Sequence, residues 1–361
     1  MKETEIHSGS FFIHIQPLVH IRWDKRDRGA GVVKTNLKKW AAVLVSAAAV
    51  VLIGQVTDVA SYITHTRVVH TEDAFDMYVD AAPEDELKRQ ITLKATELKI
   101  EPIDAKLDRV WKAIPGYNGL EVDIEATYQK AVSSPKSESI PYVMKETLPK
   151  VTLDDIGAHP IYRGNSEKKM ASFMINVAWG NEYLIPMLDT LDKYKVKATF
   201  FLDGSWLSKN KELALEIKKR GHELENHAYS HPNMSKLTTE RAILEISKTK
   251  QLLKESLGVD NKWFAPPSGD FDQETVDLAA QQGLKTVLWT IDTVDWKKPS
   301  SESVVAKITK GTEAGSLILM HPTAASKGAL EGMIQGITQK GITLGTVSET
   351  LSSARLQTKV E

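Results

Sequence analysis

The chain has 361 residues, 42% hydrophobic and 26% charged, with a formal net charge of -1. That length and composition suit one large globular domain with a smaller companion. The near-neutral charge offers no basic field, which excludes nucleic acid as an expected partner, and the lack of cysteine excludes disulfides, thiolate metal sites and a cysteine nucleophile.

Residues 1–33 show no periodic apolar pattern and read as a disordered or non-native extension. Arg28-Gly29 suits a purine-rich ribosome-binding stretch and Val32 or Val33 a GTG start, so translation is expected to begin near Val33. Residues 34–60 read as a signal anchor. Lys34, Lys38 and Lys39 precede the uncharged run Trp40 to Gly54, the pattern of an export signal. The run is shorter than the roughly 20 residues of a full span; extension to Val56 or Val59 narrows the difference. Cleavage after Ala60 would place Asp58 at the minus-three position, which disfavours it. The expectation is an uncleaved anchor, with a cleaved signal and a buried helix as alternatives. The lysines put the N-terminus inside and the remainder outside the cell membrane.

Residues 62–132 read as a small α/β domain. Leu87, Ile91, Ala95 and Leu98 share one helical face, and Pro83 suits the start of that helix. Leu120, Val122 and Ile124 alternate with acidic residues, which is strand periodicity. Pro115 to Gly119 is a turn signal before that strand. Residues 133–167, with scattered prolines and weak periodicity, read as a linker.

From about residue 168 to 355 the rhythm becomes strand, helix, strand, helix. The short apolar runs SFMINVAW, ATFFLDG, LKTVLWTI and SLILMH predict strands. Thr238 or Thr239 is placed to cap a helix ending at Gly258, and Asp272 one stopping at Gly283. Such repetition predicts a parallel β/α barrel or a doubly wound sheet. In a barrel, functional residues belong at the C-terminal ends of the strands.

The polar signals fall at those ends. His227-Ala228-Tyr229-Ser230-His231-Pro232 places two histidines four apart, able to face one metal if the backbone turns there. That spacing alone is more often structural. It is followed in order by Phe264-Ala265-Pro266-Pro267-Ser268-Gly269, by Asp292-Thr293-Val294-Asp295-Trp296, and by Leu319-Met320-His321-Pro322.

This ordered set resembles the polysaccharide deacetylases, the carbohydrate esterase family four or NodB-homology family. The resemblance implies an irregular (β/α)7 deacetylase barrel over residues 168–355, behind the small α/β domain and the membrane anchor. That layout is similar to sporulation-associated members of the family. The resemblance further implies a zinc or other divalent metal held by His227 and His231, with Ala228 standing where the family has Ser or Thr. It makes His321 the general acid, partnered by Asp295. It implies a substrate groove that includes Pro266, Pro267, Trp296 and Leu319, and a cell-envelope glycan as partner, of peptidoglycan or chitooligosaccharide type.

The departures from the family pattern bear on activity. The first family motif, T-F-D-D-G, supplies the general base and the third metal ligand. Here Asn176-Val177-Ala178-Trp179-Gly180 aligns with it, so Ala178 replaces the base and Trp179 the ligand. Ala265 stands where the third motif has its arginine, and Ser268 replaces an aromatic. A general base is worth roughly 10²- to 10⁴-fold in rate. Two imidazoles without a carboxylate hold a dication weakly. Joint loss of the aspartate and its arginine partner is self-consistent, because a buried arginine without its carboxylate is an unpaired charge. Glu225, two residues before His227 and on the same strand face, is the candidate substitute base; Asp203, Asp270 and Asp292 also lie near strand ends. Trp179, Trp289 and Trp296 are candidate stacking surfaces for sugar. Two functions follow: an active or residually active glycan deacetylase, or a non-catalytic glycan-binding or scaffold relative in the envelope.

Overall fold

The structure is a computed structural model that describes residues 83–134 and 139–356. The expected extension, the anchor at 34–60 and the first part of the small domain lie outside the described residues. Among those described, no helix is long and apolar enough to cross a membrane. Residues from Pro83 onward form one compact unit.

Helix α1 (Pro83–Leu98) opens it. Its periodic face carries Leu87, Ile91, Ala95 and Leu98 against Val122 and Tyr128. β1 (Lys106–Asp108) and β2 (Lys112–Ile114) form an antiparallel hairpin. β3 (Gly119–Val122) follows. The alternation through Ile124 predicts a longer strand, but Asp123 accepts the Ala126 N–H at 3.0 Å and starts α2 (Ile124–Ser133). An N-cap carboxylate stabilises a helix start by about 1 kcal/mol, enough to override one more alternating residue.

β4 (Met144–Thr147) pairs antiparallel with β3. It lies inside the segment expected as a linker, so that expectation is corrected. The end of the same segment joins the main sheet. Ile161 donates its N–H to Thr286 O at 3.0 Å and accepts the Leu288 N–H at 2.8 Å. A bridge of one residue leaves no periodicity in the sequence to read.

The main sheet then builds by alternation. β5 (Met170–Val177), α3 (Asn181–Lys193), β6 (Thr199–Leu202), α4 (Gly204–Lys209), α5 (Lys211–Lys219) and β7 (Glu223–Asn226) come first. α6 (Thr239–Leu257), β8 (Trp263–Phe264), α7 (Gln273–Gln281), β9 (Lys285–Thr286) and β10 (Ile291–Asp292) follow. α8 (Ser301–Gly311), β11 (Leu317–Met320), α9 (Ala324–Gln339), β12 (Thr343–Gly345) and α10 (Val347–Leu351) complete the described chain. The strand order is β10-β11-β5-β6-β7-β8-β9, with β12 also paired to β5. These pairings are parallel. The result is an α/β fold on a curled, half-barrel sheet. Thr238 and Asp272 cap α6 and α7 as their side chains predict, and Gly258 ends α6 at φ 62°. The run LKTVLWTI, expected as one strand, is split between β9 and β10, because the Ile161 backbone inserts beside Val287 and Leu288.

Two apolar layers hold the sheet. Phe173, Ile175, Val177, Phe200, Leu224 and Ile318 face the helices. Met174, Phe201, Trp263, Ala265, Val287 and Leu317 face the interior, closed from below by Val347 and Leu351 of α10. α10 is pinned by the Ser348 N–H to Glu223 Oε2 at 3.2 Å and by Lys168 Nζ to Ser352 O at 2.8 Å.

At the upper edge, Gly180 turns the chain out of β5 at φ 82°, and a Cβ there would lie 2.0 Å from Pro322 O. This ties the loop after β5 to the loop carrying His321. Gly180→Ala is expected to destabilise by about 2–3 kcal/mol, combining left-handed strain with the clash. Urea denaturation measures it, and an unchanged midpoint would contradict the close approach.

Candidate functional site

Because the strands run parallel, their C-terminal ends share one edge, and there the expected residues converge. His227 leaves β7 on the interior face and is 1% exposed. Its Nδ1 lies 2.7 Å from Ala265 O. A carbonyl only accepts, so Nδ1 carries the proton and Nε2 is free. Burial, then the neighbouring His231, pushes the His227 pKa down to about 3, so the ring is neutral. The His231 ring lies 5.1 Å from it at 73°.

The turn between these histidines needs left-handed backbone at two non-glycine residues, Ala228 (φ 58°) and His231 (φ 57°). Glu245 of α6, 1% exposed, holds it. Its carboxylate accepts the Tyr229 N–H (3.0 Å), the Ser230 N–H (2.7 Å) and the Ser230 hydroxyl (2.8 Å). Arg241 pairs with the same carboxylate at 2.6 Å. Thr249 Oγ1 donates to Ala228 O at 2.8 Å. Such donors offset the cost of the strained turn.

His321 and Asp295 form a second unit. Asp295 Oδ1 lies 2.8 Å from His321 Nδ1, and Oδ2 accepts the His321 backbone N–H at 2.6 Å. Ser326 also donates to Oδ2. Burial raises the Asp295 pKa, but the hydrogen bonds and charge of His321 with Ser326 outweigh it, so the group is held below its ordinary value. Asp295 thus orients the imidazole and leaves Nε2 as its free nitrogen.

Trp179 lies against both units. Its ring stacks on His321 at 5.3 Å and 14°, and meets His231 edge-on at 6.3 Å and 69°. Indole N–H is a donor only and cannot ligate a metal. Among the described residues, no three His, Asp, Glu or Cys side chains converge as a metal site. A catalytic divalent site needs three protein ligands and an open position, so the residues present do not fit the metal centre that the two histidines lead one to expect.

The opening holds two clefts that share Trp179 and Trp296. One, of about 350 Å³, is lined by Asn176, Trp179, His231, Ser268, Trp289, Asp292, Trp296, Leu319 and His321. The other, of about 520 Å³, includes Tyr183, Glu182, Lys298, Pro299 and Thr323. Trp296 and Leu319 therefore sit where a groove was expected. Pro266 and Pro267 do not: both are buried beneath it, and exposed Ser268, at φ 57°, takes the rim. Ala265 is fully buried in the interior layer. Ala178 is half-buried at the start of the loop carrying Trp179.

Glu225 requires correction as a substitute base. It shares the interior face with His227 but lies one strand repeat deeper, is 3% exposed and lines neither cleft. Its Oε2 accepts the N–H groups of Lys262 (2.8 Å) and Trp263 (2.7 Å). Burial, then the Glu223 charge, pushes its pKa up to about 9 against those donors. Asp203 caps α4 and Asp270 accepts the Ser235 N–H; only Asp292 of the three lines a cleft. Asn176 was not expected in the site. Its signal was phase: it is two residues beyond inward-facing Met174 at the end of β5.

Glu225 gives a pH test. The folded chain keeps its proton up to about 9, whereas the unfolded carboxyl loses it near 4.5. Stability is therefore fully present below the unfolded value and falls as pH rises toward the folded one. Glu225→Gln cannot ionise, so it should match wild type near pH 5 and melt several degrees higher near pH 8. A difference independent of pH would show that the carboxyl is already ionised in the fold.

Comparison with known proteins agrees with this geometry. The polysaccharide deacetylase family profile matches residues 163–287. The chain is 45% identical over 281 residues to the uncharacterized protein YlxY of Bacillus subtilis, covering 78% of this chain and 88% of that one. It is 34% identical over 156 residues to a peptidoglycan-N-acetylglucosamine deacetylase of Bacillus cereus, covering 43% of this chain and 56% of the other. The crystal structure of a CE4 family pseudoenzyme from Bacillus anthracis superposes with a TM-score of 0.69 at 39% identity, covering 75% of this chain and 96% of that one. A mutant of that pseudoenzyme, described as having restored enzymatic activity, superposes equally well, with a TM-score of 0.69.

Proposed function

This chain belongs to the polysaccharide deacetylase family, and from that premise we propose that it is a catalytically impaired member that binds cell-envelope glycan without deacetylating it. The observation that carries the reading is Trp179. It stands at the position of the third metal ligand, its ring stacked on His321 and set against His231.

Amide hydrolysis by the family's route needs a polarised carbonyl, a base for the attacking water and an acid for the leaving amine. The acid side is present: Asp295 holds His321 in one tautomer. The base side is not, since Ala178 has no proton acceptor and Glu225 is sealed below the groove. His227 and His231 keep two ring nitrogens near one another without a third donor. What is left is a groove with exposed aromatic surface, Trp179 at 45% and Trp296 at 54% exposure. Tryptophan faces stack on the apolar faces of sugar rings. The deacetylase relative acts on peptidoglycan by its name, and the pseudoenzyme described for B. anthracis supports the loss of turnover. We place the half-barrel, read as the family's irregular (β/α)7 barrel, outside the cytoplasmic membrane behind the anchor at 34–60, in the envelope of a spore-forming cell.

The test is acetate release from N-acetylated chitooligomers and from peptidoglycan by the full chain with added zinc or cobalt. None is expected above the level of the His227→Ala/His231→Ala variant. Release that this variant abolishes would instead make the protein a metal hydrolase with another base. Ala178→Asp combined with Trp179→Asp is expected to bring stoichiometric metal binding and to raise acetate release by about 100-fold or more over background. The restored activity of the B. anthracis mutant is the precedent.

A further inference from the structure

A further cleft opens at the seam where β1 and β2 meet the segment 163–167, and it shares no lining residue with the histidine groove. It encloses about 220 Å³, and two cations, Arg163 and Lys106, line it. Arg163 is half-buried and held in one orientation. Its Nη2 donates to Ala314 O at 2.8 Å, and its guanidinium lies 5.4 Å from the centre of the Trp111 ring, a cation–π contact. The backbone under it is pinned too. Gly164 donates its N–H to Gly315 O at 2.7 Å. Asn165, 5% exposed, donates from Nδ2 to Pro115 O at 3.0 Å and so ties the two walls of the cleft together.

A guanidinium carries five N–H donors. Ala314 O takes one, and no other described residue engages the rest. Lys106, exposed on β1, has no hydrogen-bond or ion-pair partner among the described residues. Two carboxylates also line the cleft, Asp104 and Glu167. Asp104 is already engaged, since its Oδ1 accepts the N–H groups of Lys150 (2.6 Å) and Val151 (3.0 Å). Glu167 is exposed and forms no ion pair with either cation. The cleft therefore presents two uncompensated cations, one of them fixed. An ordinary surface arginine loses side-chain entropy when it closes on an anion; Arg163 has lost it in the fold. Its planar fork matches the oxygens of a carboxylate or a phosphate, and such charge-assisted bonds are the strong ones.

We propose that this seam is a second binding site, in which Arg163 and Lys106 take an oxyanion, carboxylate or phosphate, carried on an extended envelope polymer. The cleft is smaller than the roughly 300–1,000 Å³ of small-molecule sites, so it takes one anionic group and leaves the rest of the chain outside. The placement outside the membrane proposed above supplies the source of the anion. The site itself is independent of the groove, and its test does not read glycan binding.

The experiment is methylglyoxal modification of the full chain, with Arg163 followed by peptide mass spectrometry and exposed Arg109 as the internal control. Two probes distinguish the sources: N-acetyl-D-alanine for a peptide carboxylate and glycerophosphoglycerol for a phosphate polymer. Sodium chloride at equal ionic strength corrects for screening. At least one probe should protect Arg163 in a saturable manner while Arg109 reacts unchanged, and the stronger protector identifies the source. Lys106→Gln should raise the concentration for half-protection by about three- to fivefold, the worth of an exposed ion pair. Glu167→Gln should lower it by about twofold, because a competing charge is gone. Both changes fall on exposed side chains and should leave the thermal midpoint at the wild-type value. Protection no greater than that given by sodium chloride, or protection equal in wild type and both variants, would overturn the site. So would an Arg163 that does not react in the free chain, since its guanidinium would then be closed to small solutes.

Discussion

β5 is buried on both faces along all 8 of its residues, and the site depends on that constraint. A strand covered on both sides has no freedom of register, because a shift of one residue would exchange its two faces. β5 is hydrogen-bonded to β6, β11 and β12. Phe173, Ile175 and Val177 lock into the helical layer while Met174 locks into the interior. Asn176 is thereby forced to point inward at the top, and the chain must leave the sheet at Ala178. Gly180 then brings the loop against Pro322, which places Trp179 over His321.

The remaining anchors are carboxylates, Asp295 and Glu245 buried and Glu223 half-buried, each with a different duty. Asp295 joins the loop after β10 to the His321 ring, the His321 backbone and Ser326. Glu245 holds the strained turn between His227 and His231. Glu223 pins α10 beneath the barrel. These groups keep the mouth of the half-barrel in shape. Ala178, Trp179 and Ala265 stand where the family pattern has its base, third ligand and arginine, and the framework around them is kept. Ala265 is consistent with this: it sits in the fully buried interior layer, where a guanidinium without its carboxylate would be an uncompensated charge. Removal of base, ligand and arginine together leaves an interior free of that penalty.

Much of the framework was legible in the chain. The helix caps at Thr238 and Asp272 are local hydrogen bonds between a side chain and the next turn, and the residues themselves announce them. The helical face of Leu87, Ile91, Ala95 and Leu98 is a matter of period. The pairing of His321 with Asp295 followed from motif order. Other features resisted. The segment 133–167 was read as a linker because a short edge strand and a one-residue bridge carry no period. LKTVLWTI was read as one strand because nothing in its composition reveals that Ile161 will insert beside it. Glu225 shared a face with His227, as alternation requires, but depth along that face is not a property of sequence spacing. Pro266 and Pro267 fell below the groove for the same reason.

The sequence by itself determined the family, the order of the elements and the absence of a base and third ligand, since side-chain chemistry at aligned positions needs no coordinates. The tertiary structure alone decided what the replacements do. Whether Trp179 is a core residue or an exposed platform depends on how the loops after β5 and β11 meet. Whether Asn176 is satisfied depends on every neighbour within hydrogen-bond reach. Whether Glu225 is a base or a buried neutral acid depends on the dielectric around it and on two backbone N–H groups from β8 and the residue before it. Each of these is a sum over atoms brought together from distant parts of the chain, and only folding supplies it.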